Sequence, residues 1–210
     1  MRRGFTLIEL LIVIAIIAIL ALIAIPNFLE AQVRSRVARV QADLRTIATA
    51  IETYTVDYNR PPVGTKECQR GIIPASWGGA EGVPNGILLK MWRQITTPVA
   101  YLTSIPRDPF IKGGLVKPDG TVSNDLFEYQ TYKWSDPTNQ PNSNSKVYNL
   151  KGYTWSLASM GPTRVDGSAE NALPGNLDWV YDPTNGTMSS GMIIRTNKGD
   201  FASDSSKRKN

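Results

Sequence analysis

The sequence predicts an α+β fold in which one long N-terminal α-helix packs along its second half on a small antiparallel β-sheet. Three observations carry this. Leu7 to Ile25 is an unbroken apolar run whose only charge is Glu9. From Leu29 to Tyr58 apolar residues recur at helical spacing, with neither Gly nor Pro between Asn27 and Tyr58. After Pro61-Pro62 the chain changes character, with short alternating segments separated by Gly-, Pro-, Asn- and Ser-rich stretches.

The first element spans a membrane. At about 1.5 Å rise per residue, nineteen residues match a hydrocarbon core about 30 Å thick. The run is longer than the apolar stretch of an ordinary secretory signal and lacks a small-x-small exit. Pro26 follows directly. It removes one helical hydrogen bond and crowds the preceding turn, which predicts a kink at the membrane's outer edge, where water can satisfy the freed carbonyl.

The second element continues the same helix. Leu29, Val33, Val37, Val40, Leu44, Ile47, Ile51, Tyr54 and Tyr58 are spaced three or four apart and share one face. Arg34, Arg36, Arg39, Gln41, Asp43, Arg45 and Glu52 occupy the rest. The stripe suits a cover for the protein's own sheet better than a coiled-coil seam, because Val and Tyr make an irregular zipper. Asn59-Arg60-Pro61-Pro62 stops the helix. Counted from Phe5, the helix is about 80 Å long, so its first half must project from a domain of this size.

In the remaining region Ile87, Leu88, Met91, Trp92 and Ile95 have helical spacing, ended by Pro98. Leu115 to Val122 reads as a hairpin about Pro118-Asp119-Gly120. Leu126 to Trp134 is a predicted strand with Phe127, Tyr129 and Thr131 on one side. Lys146 to Ala158 holds another, with Tyr153, Trp155 and Leu157 sharing a face, and Gly191 to Thr196 supplies a last strand. Ser135 to Ser145 reads as a loop. The expected organisation is 1–4, a leader; 5–25, the spanning helix; 26–58, its amphipathic continuation; and 59–210, the head.

Composition narrows the function. The 210 residues include one cysteine, Cys68, and no histidine. An internal disulfide is impossible, and the commonest acid–base catalyst and transition-metal ligand is missing. No P-loop, nucleophile elbow, Cys-x-x-Cys pair or dinucleotide fingerprint is present. The expectation is a structural protein, not an enzyme. The formal charge of +5 gives no reason to expect a nucleic-acid partner. Orientation cannot be read from charge alone, since Arg2 and Arg3 precede the span and Arg34, Arg36 and Arg39 follow it.

The most specific signal is Arg2-Arg3-Gly4-Phe5-Thr6-Leu7-Ile8-Glu9 running into the apolar helix. It resembles the N-terminal cleavage and methylation motif of type IV prepilins and type II secretion pseudopilins. The resemblance implies a pilin-like fold, cleavage between Gly4 and Phe5 by a prepilin peptidase, and methylation of the new Phe5 amine. It places the leader in the cytoplasm and the head outside. Tyr101 to Phe110, Ser159-Met160-Gly161-Pro162 and Tyr181 to Thr187 also resemble segments of major pseudopilins.

Glu9 has a physical reading beside the family one. A carboxylate in a membrane helix costs about 2.5–3.5 kcal/mol at mid-span, and less near the interface. Cleavage would create a compensating cation, the Phe5 amine, about one turn away. The family's picture adds that the carboxylate attracts the amine of an incoming subunit, which would set axial register. The resemblance further suggests calcium in the C-terminal loops, with Asp166, Asp178 and Asp182 as oxygen donors. Thr163 stands where related proteins often carry an acidic residue, and Asp166-Gly167 and Asp182-Pro183 are also ordinary turn pairs.

Taken together, the expected protein is a single-pass subunit of the cytoplasmic (inner) membrane. It would assemble into a helical homo-oligomeric filament, periplasmic or at the cell surface, of type IV-pilus or type II secretion pseudopilus kind, with the major-pseudopilin-like reading favoured. The resemblance implies as partners the prepilin peptidase, an inner-membrane assembly platform and minor pilins or pseudopilins. The alternative is a monomeric, membrane-anchored extracytoplasmic binding module.

Overall fold

A computed structural model describes residues 5–64, 92–111, 125–132, 152–162, 180–182 and 191–201. Helix α1 runs Leu7–Tyr58, 52 residues without interruption, and so extends for about 78 Å. It passes through Pro26 as continuous helix. Thr6, in extended conformation, caps its start, and Asn59 ends it in the left-handed region at φ 53°, ψ 25°. Asn tolerates that conformation better than most residues, and the two prolines behind it prevent a further turn.

The sheet is antiparallel, in the order β1 (Glu128–Thr131), β2 (Trp155–Ser159), β3 (Ile193–Thr196), β4 (Gly199–Phe201). Tyr129 faces Leu157 across β1 and β2, and Leu157 faces Arg195 across β2 and β3. The sequence named three of these strands. It took Gly191 to Thr196 as the last, whereas a two-residue turn at Asn197-Lys198 adds β4, with Thr196 opposite Gly199. Gly199 sits at φ 111°, a conformation open to glycine.

The outer half of α1 lies on this sheet. Val37, Val40, Leu44, Ile47, Ile51 and Tyr54 are buried in one cluster with Trp92, Phe127, Tyr129, Trp155, Leu157 and Ile193. Period-two alternation sends Ala158 and Ile194 to the opposite face, where they pack with Tyr132, Val180 and Met192. The two ends of the predicted stripe depart from it. Leu29 is 55 % exposed, because the sheet begins to cover the helix only near Val33, and Tyr58 stacks on Tyr54 at the helix end. Tyr153 also departs from the predicted face. It packs with the second cluster and under Lys198, because β2 begins at Trp155 and the alternation does not reach back to it.

Of the predicted helical piece before Pro98, the described part is one turn at Trp92, closed by bonds from Ile95, Thr96 and Thr97 back to Trp92 and Arg93. The hairpin at 115–122 and the loop at 135–145 lie outside the described residues, as does Cys68.

Candidate assembly and processing site

Among the described residues nothing packs against the inner half of α1. Phe5 is 74 % exposed, and the large apolar side chains from Leu7 to Leu29 are all exposed. The helix is long and apolar enough to cross a membrane. Burying such a surface is worth roughly 25 cal/mol per Å² of apolar area, so it needs lipid or other protein around it.

At its start lies the one carboxylate of this half. The Thr6 hydroxyl accepts from the Glu9 amide at 3.3 Å, while the Thr6 amide and hydroxyl donate to Glu9 Oε2 at 2.8 and 2.7 Å. This is a capping box, Thr-x-x-Glu, which satisfies two of the donors a helix start leaves open. From the sequence Glu9 has the Phe5 amine as its partner; the structure adds Thr6, and the signature of the box, Thr6-Leu7-Ile8-Glu9, stands in the sequence. Glu9 Oε1 has no hydrogen bond among the described residues.

Polar contacts tie the outer half of α1 to the head. The Trp155 indole donates to Glu52 Oε1 at 2.9 Å, and Asp200 pairs with both Arg45 and Arg195. The Tyr101 hydroxyl donates to Asp57 Oδ2 at 2.6 Å, and that bond, which favours the neutral phenol, pushes the Tyr101 pKa up to about 12. Asp108, in one of the pseudopilin-like segments, is buried. Its Oδ1 accepts from the Phe110 amide at 2.9 Å and its Oδ2 from the Met160 amide at 3.2 Å, which joins the 101–110 segment to the end of β2. Burial raises its pKa, three hydrogen bonds oppose the rise, and the neighbouring Asp43 charge adds to it.

Gly161 and Gly191 hold another close approach. A Cβ on Gly191 would lie 2.0 Å from the Val180 carbonyl carbon, and one on Gly161, at φ 68°, would lie 2.4 Å from the Gly191 oxygen. Asp182 follows this junction and is buried. Gly4, Asp166 and Asp178 lie outside the described residues, so Asp182 is the one member of the suggested calcium set that the structure places. Among the described residues no three Asp, Glu or Cys side chains converge.

Comparison with known proteins adds to this geometry. Residues 1–25 match the prokaryotic N-terminal methylation motif. The type IV major fimbrial protein FimA of Dichelobacter nodosus is 44 % identical over 85 residues, 40 % of this chain and 51 % of FimA. The type IV major pilin protein PilA of Myxococcus xanthus is 50 % identical over 58 residues, 28 % of this chain and 26 % of PilA. The type II secretion system core protein G of Klebsiella pneumoniae is 26 % identical over 110 residues, 52 % of this chain and 69 % of that protein. The chain thus spans about half the length of FimA and a quarter of PilA. No solved structure matches it significantly. These relatives are structural subunits, not enzymes. The motif read from the first residues and the relatives found by comparison point the same way: the chain carries the N-terminal methylation motif and is similar to type IV pilins and pseudopilins.

Proposed function

We propose that this chain is a structural subunit of a type II secretion pseudopilus-like filament, stored in the cytoplasmic membrane and processed between Gly4 and Phe5. The observation that carries the reading is the division of α1. One half packs on its own sheet, and the other, bearing the methylation motif, exposes all its large apolar side chains and is apolar but for Glu9. Lipid covers that half in storage. In the filament the same half of other copies covers it. Prepilin peptidase, an assembly platform and minor pseudopilins are the partners this route needs. Between pseudopilus and pilus, the secretion core protein G is aligned over the longer stretch, 110 residues against 85 and 58 for the pilins.

Mass spectrometry of the mature N-terminus tests the processing step. The expected product begins at methylated Phe5, and a chain retaining Met1 or cut beyond Ile25 refutes it. Assembly is tested separately with Glu9→Ala, which is expected to remain in the membrane but yield no sheared fibres. Normal fibres from that variant would remove Glu9 from the mechanism. Deletion of the protein is expected to abolish secretion; loss of twitching with secretion intact would assign it to a pilus instead.

A further inference from the structure

Directly beyond the apolar half, α1 carries Arg34, Arg36 and Arg39. At 100° per residue Arg36 and Arg39 lie about 60° apart and Arg34 points to the other side, about 140–160° away, so together they flank the helix as a collar rather than a stripe. The head does not cover them. Arg34 and Arg39 side chains are 69 % and 73 % exposed, and Arg36 is exposed too. Arg34 bonds to Glu30, one turn nearer the apolar half, and Arg39 lies 3.7 Å from Asp43. Arg36 makes no hydrogen bond or ion pair among the described residues. Among the described residues Glu30 and Asp43 are the acidic groups that pair with the collar, and Tyr181, with Asp182 beside it, lies near enough to Arg34 to feel its charge.

We infer that this collar binds the phosphate groups of anionic phospholipid on the leaflet facing the head. The inference rests on the reading that Leu7 to Ile25 spans the membrane. Arg34 lies nine residues past Ile25, about 14 Å along the axis, and the headgroup layer is about 5–8 Å thick. Helical side chains lean toward the N-terminus, which here is toward the bilayer. Arg34 shows that lean, since its guanidinium reaches back to the level of Glu30, about 7–8 Å past Ile25. Arg36 reaching back equally lands about 10 Å past Ile25, within one Debye length of the phosphates at 0.1 M salt. A guanidinium carries five N–H donors and matches phosphate in a bidentate fork, so Arg34 retains donors after its bond to Glu30. The collar holds the stored subunit upright and at fixed depth, and assembly must break these contacts.

The test uses the mature full chain, beginning at Phe5 so that Arg2 and Arg3 cannot contribute. It is reconstituted in vesicles with phosphatidylglycerol confined to one leaflet. Spin-labelled phosphatidylglycerol and phosphatidylcholine report which lipid the protein immobilises. The expected result is a preference for phosphatidylglycerol of about fivefold at the collar. It requires that lipid on the head side and vanishes at 1 M salt, where screening acts over about 3 Å. Arg36→Gln should lose most of the preference, the triple Arg34→Gln, Arg36→Gln, Arg39→Gln all of it, and the triple Lys variant should retain at least half. Tryptophan emission checks that each head is folded. Equal immobilisation of both lipids by the wild type overturns the proposal. So does a triple Gln variant that keeps the lipid preference while losing fibres, which would assign the arginines to a second copy. Loss of the wild-type chain from vesicles in alkaline carbonate is a different failure, that of the membrane reading.

Discussion

Leu29 and Leu44 lie on the same apolar stripe of the same helix, so a pattern reading treats them alike; the structure does not. Leu44 is 1 % exposed within the helix–sheet cluster, whereas Leu29 is 55 % exposed beyond its edge. Leu→Ala changes helix propensity very little, so the difference between the two variants isolates burial. At Leu44 the loss combines transfer and cavity terms, about 2–5 kcal/mol. With roughly 2–4 °C per kcal/mol for a head of this size, the melting temperature should fall by about 4–20 °C. At Leu29 the change should stay within about 0.5 kcal/mol. Urea unfolding of the full chain in mild detergent, followed by tryptophan fluorescence, reads both, because Trp92 and Trp155 are buried in the same cluster. Equal effects at the two leucines would refute the claim that the sheet covers the helix only from about Val33 outward.

Three further outcomes follow from particular contacts. Thr6→Ala removes the hydroxyl from the capping box, so amide exchange at Glu9 should rise about fivefold by mass spectrometry, while Thr6→Ser keeps it slow. Asp43→Asn removes a charge that raises the Asp108 pKa, so the Asp108 carboxyl should titrate lower by carbon NMR. Because the folded-state pKa of Asp108 is raised, its favourable contribution to stability is complete below the unfolded value near 3.9 and is lost as pH rises through the folded one. The variant's gain over wild type should therefore appear at pH 7 and vanish at pH 3. Gly191→Ala drives a methyl group into the Val180–Tyr181 backbone, which cannot rotate away, at a cost of about 1–3 kcal/mol or more measured by the same unfolding assay.

What could be read in advance follows from the range of the forces involved. The helix was legible almost residue by residue, because its pattern is local: Asn59 and the prolines end it where expected, and Val37 to Tyr54 bury the predicted face. Strands β1 to β3 were legible as alternation, but not β4, three residues that gain their place by pairing with β3. Nor was the limit of coverage at Val33, which depends on where a sheet formed more than ninety residues later comes to rest. Asp108 is legible only as part of the 101–110 segment. Its burial beside the end of β2 depends on a contact 52 residues away, which no local pattern carries.

Glu9 shows the same division at the site. Its cost in an apolar helix was legible, and so was the need for a partner. The nearer partner, Thr6, is set by backbone geometry at the helix start and not by charge. Thr6 already engages Oε2 with two donors, and Oε1 is left over. An N-terminal amine therefore need not displace Thr6 in order to bind; it meets a carboxylate whose orientation the helix start has fixed. For the filament we propose, this makes the capping box a positioning device. It spares the carboxylate much of its desolvation while the subunit is alone, and it holds one oxygen toward whichever amine, its own or a neighbour's, comes within reach. Register would then depend on Thr6 as well as Glu9, and Thr6→Ala should misplace subunits without preventing processing at Gly4.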